Sequence, residues 1–149
     1  MESLAYRPRF FDITELVHPQ ILTAIGEQNS WLRLDEGCLY DIDLIRKKWH
    51  ERYGSGIYCN RLDLGLDSRG LRPPDDPDGS FYSVHKQGKA FDLEPVNGKT
   101  GTLFKMILLM IEDGELAHLN TLEDFAFTKQ WVHVAKMNTS LRPLIIRPR

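Results

Sequence analysis

Two histidines and an aspartate, His85, Asp92 and His133, are the residues of this chain whose types and spacing best suit chemistry. His85 and Asp92 lie in Ser83-Val-His-Lys-Gln-Gly-Lys-Ala-Phe-Asp92, and His133 lies in Trp131-Val-His-Val134. Two imidazoles and one carboxylate suffice to hold a zinc ion with its fourth position left for water, the arrangement of hydrolytic rather than structural sites. A spacing of seven residues along one unbroken strand would put His85 and Asp92 on opposite faces and more than ~20 Å apart. The chain must therefore turn between them. Gly88 is the natural place, and Ala90 leaves room beside the ion. On a strand, Trp131 and His133 share a face, so the indole can restrict the imidazole.

These residues need elements to carry them. Asp12 or Thr14 can cap a short helix, with Pro19 as a restart. From Leu39 to Tyr53, apolar residues recur at helical spacing with charges between them, and Gly54 stops the pattern. Residues 56–60 read as a short strand and residues 63–80, rich in Gly, Pro and Asp, as a long exposed loop of the kind that often carries function. A strand is expected over 82–93, and a helix apolar almost all the way round, hence buried, over 102–113. Gly114 ends that helix, residues 116–127 are ambiguous, and residues 130–135 have the β-branched and aromatic content of a strand.

Composition narrows the class. A chain of 149 residues fits a single domain over 1–149 able to bury roughly two-thirds of its unfolded surface. At 42% apolar and 27% charged, with a net charge of −2, it offers no footprint for nucleic acid or for an anionic membrane. Arg46-Lys47-Lys48 reads as the wet side of a helix. No apolar run has signal-peptide length, and the longest, Met106 to Ile111, is far too short to span a bilayer. Synthesis in the cytoplasm is expected. Cys38 and Cys59 are expected to be reduced thiols away from the ligands, and His18, His50 and His118 to be packing or surface residues.

Ser-x-His-x-x-Gly-x-Ala-x-Asp, met by Ser83, His85, Gly88, Ala90 and Asp92 and followed by Trp131-x-His133, resembles the zinc D-Ala-D-Ala carboxypeptidase family. That family includes L-alanyl-D-glutamate endopeptidases of bacteriophages and shares its fold with the hedgehog signalling domain. Asp67-Ser-Arg-Gly-Leu-Arg-Pro73 is similar to the family's Gly-aromatic-Arg-Ser-Pro segment, with Leu71 at the aromatic position and Arg72 at the arginine that engages substrate. The resemblance covers roughly Leu39 to Ala135 and is closest to short, signal-less members encoded by phages and prophages. It implies a small α+β domain with a mostly antiparallel sheet flanked by helices, Zn2+ on His85, Asp92 and His133, and peptidoglycan stem peptides as substrate. Release to the cell wall by lysis, or carriage in a virion, would follow.

One position departs from the family. Where its best-studied branch has a glutamate general base three residues before the last histidine, this chain has Gln130, whose amide cannot accept that proton at neutral pH. Glu123 is the preferred substitute, with Asp124 and Glu94 as alternatives; zinc chemistry unaided by a base is another. Two function classes stand: a metallopeptidase, and a zinc-containing cell-wall-binding or virion-associated protein that has lost the base. Ser83 reads as a strand-end hydroxyl rather than a nucleophile, because no base sits beside it.

Overall fold

The computed structural model describes residues 6–76 and 84–147. In chain order it contains α1 (Ile13–Leu16), α2 (Pro19–Leu32), α3 (Glu36–Tyr53), β1 (Ile57–Tyr58), a 3-10 turn (Leu62–Leu64), β2 (Ala90–Pro95), α4 (Thr100–Glu112), β3 (Thr121–Glu123), β4 (Val132–Ala135) and β5 (Leu144–Ile146). The fold is α+β. The five-stranded sheet of the described residues has the order β1-β2-β4-β3-β5. The first three contacts are antiparallel and β3 runs parallel to β5, so the sheet is mixed where a mostly antiparallel one was expected. A last strand entering beside β3 in the same direction produces this, and no sequence signal marked 144–146 as a strand.

The helix ends follow local rules. At the start of α1 the Asp12 N–H donates to Glu15 Oε2 (2.8 Å) and the Glu15 N–H to the Asp12 carbonyl oxygen (3.0 Å). His18 accepts from the Gln20 N–H at the start of α2, with Pro19 at its first position. The Asp35 carboxylate accepts from the Cys38 N–H ahead of α3, which ends at left-handed Gly54. Leu39, Ile42, Ile45 and Trp49 form the fully buried stripe of α3 and join Leu103, Ile107 and Ile111 of α4 in one core. The expected all-round burial of α4 gives way to an amphipathic helix, since Leu109 on its far side is 46% exposed.

The alternation of strand side chains then decides where the chemistry lies. Phe91 and Leu93 on β2, with Val132 and Val134 on β4, point into the core, which assigns Asp92 and His133 to the opposite face. The strand expected over 82–93 begins only at Ala90; residues 84–88 form a turn, and Tyr82 and Ser83 lie outside the described residues. Gly88 is the reason. Its φ is +71°, and a Cβ there would stand 2.2 Å from the Arg33 carbonyl oxygen, so no other residue fits without moving backbone.

The loop expected to be exposed over 63–80 is instead pinned where it is described. Leu71 is fully buried and bridges to Val17, with Leu71 N–H donating to Leu16 O (2.7 Å) and His18 N–H to Leu71 O (3.0 Å). Asn60, itself buried, donates to Val17 O (3.2 Å) and accepts from the Arg69 N–H (3.0 Å). Gly70 passes so close to α1 that a Cβ would meet Leu16 O at 2.0 Å.

Candidate metal centre

Asp92 and His133 are register partners on β2 and β4. The Asp92 N–H donates away from β4, to Arg69 O at 2.8 Å, so the pair is of the non-hydrogen-bonded kind, in which side chains stand closest. His133 Nδ1 accordingly reaches Asp92 Oδ1 at 2.8 Å. His85 arrives from the 84–88 turn, its Nε2 3.3 Å from His133 Nδ1 and 3.5 Å from Asp92 Oδ1. All three residues are buried. The sequence expectation that two distant segments converge on one point is met.

The partners orient the groups. His85 Nδ1 lies 3.1 Å from the carbonyl oxygen of Gly70. A carbonyl can only accept, so Nδ1 donates to it and Nε2 is the ring atom turned to the cluster. Asp92 presents its Oδ1 there. Burial alone would raise the Asp92 pKa, but the hydrogen bonds to His133 and His85 and the charges of both rings outweigh it and hold the carboxyl well below the usual carboxylate range. Three atoms able to ligate a metal, His85 Nε2, Asp92 Oδ1 and His133 Nδ1, thus face one another, an arrangement that a cation can satisfy. Their spacing fits as well. Zinc bonds of about 2.05 Å in a tetrahedron put ligand atoms about 3.3–3.4 Å apart, against 3.3, 3.5 and 2.8 Å here. A buried His-Asp-His group able to hold a metal ion is therefore present, and the Gly70 carbonyl supplies the outer contact that orients a ligating imidazole.

A cleft of ≈ 330 Å³ opens beside Asp92 and is lined by Asp67, Ser68, Arg69, Arg72 and Trp131 among others. Arg72 donates from Nε to Ser68 O (2.7 Å) and its Nη2 lies 3.8 Å from Asp92 Oδ2, so the residue singled out from sequence sits at the cluster. Sequence reasoning missed Arg69. Its guanidinium pairs with Glu94 (3.0 Å) and lies 5.9 Å from the centre of the Trp131 ring, forming one wall of the cleft. The only sequence hint was its place in the segment that ends at Arg72.

The candidate bases separate clearly. Glu94 is held between Arg69 and Arg61, at 3.0 and 3.5 Å. Asp124 is engaged by Arg147 (3.1 Å) and by the Ala126 N–H (3.0 Å). Glu123 follows Leu122, the partner of Val134, and continuing that register by one residue sets it opposite His133 on the same face. Its side chain makes no hydrogen bond or ion pair among the described residues. Gln130 is exposed and lines a different, shallow cavity with Glu94, Thr100 and Lys129.

The remaining histidines and cysteines take structural places. His18 caps α2 and pairs with Asp67 (3.3 Å). The His118 ring fills the space over Gly37, and the His118 backbone N–H donates to Asp41 Oδ2 (2.8 Å). Both cysteines are free and buried, and burial pushes both thiols up, away from the thiolate. No helix of the described residues is long and apolar enough to cross a membrane. No protein-family model matches the chain, and neither a curated protein nor a solved structure matches it.

Proposed function

We propose that this protein is a zinc-dependent peptidase that cleaves peptidoglycan stem peptides. The observation that supports it is the buried triangle of His85 Nε2, Asp92 Oδ1 and His133 Nδ1, whose Asp92 lines a cleft together with Arg72. Zinc bound there would supply a Lewis acid and water activated at neutral pH. The chain's own residues do the rest. Gly70 O fixes the His85 tautomer, Arg72 offers a fixed and permanently charged fork to a carbonyl or carboxylate of the peptide, and Glu123 takes a proton and returns it to the leaving amine. Trp131, backed by Arg69, forms an apolar wall for the substrate.

The second reading, a zinc-containing protein that binds the cell wall without cutting it, draws on Gln130 at the family's base position and on Glu94 and Asp124 both being consumed in ion pairs, so that the peptidase reading depends on Glu123. Zinc-loaded protein incubated with defined muropeptides and followed by mass spectrometry separates the two. Cleavage that falls at least tenfold in Arg72→Lys, with zinc content unchanged, is expected; a fully zinc-loaded protein that cleaves none of the panel would leave the binding reading.

A further inference from the structure

A second cavity, of ≈ 440 Å³, lies at the other end of the β2–β4 pair and is lined by Val84, Gln87, Lys89, Lys136, Met137 and Asn138. Lys136 N–H donates to Lys89 O at 2.9 Å, which continues the Ala90↔Ala135 register by one residue and makes the two lysines direct cross-strand partners. Like charges placed directly opposite each other on a sheet destabilise it, so this pair is a cost that folding alone does not explain. Among the described residues the carboxylate paired with them is Asp35, 3.5 Å from Lys136. Asp35 also accepts from the Cys38 N–H at the head of α3, so its charge is shared with that helix end. The Lys89 ammonium has no hydrogen-bond or ion-pair partner among the described residues.

We propose that this cavity binds an oxyanion, a carboxylate or a phosphate, between Lys89 and Lys136. The two ammonium groups supply charge from adjacent strands, the Asn138 amide offers a further donor, and Val84 and Met137 give the apolar contact that suits a small organic anion. The cavity is of a size that takes a ligand of one or two residues. The site is separate from the metal cluster, and the proposal stands whether or not the peptidase reading does.

Amide chemical shifts of isotope-labelled protein, followed during titration with N-acetylglutamate, with inorganic phosphate and with the uncharged diamide of N-acetylglutamate, test it. Saturable shifts at Lys89, Lys136 and Asn138 with one or both anions, and none with the diamide, are expected. The anion that saturates first identifies whether the site serves a carboxylate or a phosphate. Lys89→Gln should weaken that binding about tenfold, the factor expected for one lost charge-assisted contact, and Lys136→Gln should do the same. Absent saturation with both anions, equal binding of the diamide, or unchanged affinity in both variants would overturn the proposal.

Discussion

Zinc should stabilise this protein in proportion to how well its three donors are already placed. In the fold the donor triangle has edges of 3.3, 3.5 and 2.8 Å, so only the His133–Asp92 edge must open, by about 0.6 Å, to reach the tetrahedral value of about 3.4 Å. Little reorganisation opposes binding, and an unfolded chain brings no two of these residues together. Ligand that binds only the folded state contributes about 2.7 kcal/mol at a free concentration one hundred times its Kd. With about 2.1 cal/mol/K of unfolding entropy for each of 149 residues, that is a rise in Tm of about 9 °C. The assay is calorimetric unfolding in zinc-buffered and in chelator-containing solution, for wild type and for His85→Ala. Wild type should show the full shift, and the variant about a quarter of it or less, because two remaining donors bind zinc far more weakly. A wild-type Tm indifferent to zinc, or an equal shift in His85→Ala, would refute the donor assignment.

Three further outcomes are expected. Glu123→Gln should lower muropeptide cleavage by about a hundredfold, the scale of a lost general base, while Glu94→Gln, Asp124→Asn and Gln130→Ala should stay within about tenfold; equal rates for all four would remove Glu123 from the mechanism. Gly88→Ala forces a left-handed φ on alanine and sets its Cβ against the Arg33 carbonyl, so denaturant unfolding should show a loss of about 2–4 kcal/mol; a loss under about 0.5 kcal/mol would mean that the 84–88 turn is not held as described. Burial, then the hydrogen bond to Asp43, pushes the Tyr6 hydroxyl from 10.0 up to about 12. A raised pKa favours the protonated form on folding, so this contribution is complete below pH 10.0 and disappears as pH rises toward about 12. Tyr6→Phe should therefore be less stable than wild type at neutral pH and converge with it at high pH; a gap that stays constant with pH would contradict the linkage.

The local grammar of the chain was legible in its sequence because neighbours along the chain decide it. Asp12 as a cap, Pro19 at a helix start, the apolar stripe from Leu39 to Trp49 and the stop at Gly54 all act within a few residues. The convergence of His85, Asp92 and His133 was legible for a different reason, because a turn at Gly88 and a strand around His133 are local features and the donor types admit few other purposes. Pairing across the sheet decided the remainder. Nothing near Glu94 in sequence says that Arg69 and Arg61 will neutralise it, and nothing near Glu123 says that β3 will lie beside β4 rather than elsewhere. Leu71 and Gly70 read as loop until α1 closes over them and turns the Gly70 carbonyl toward the His85 ring. Lys89 and Lys136, 47 residues apart in sequence, became partners in the same way. A β-ladder joins residues distant in the chain through backbone bonds that are alike for every side chain, so only the packed structure fixes which side chains meet.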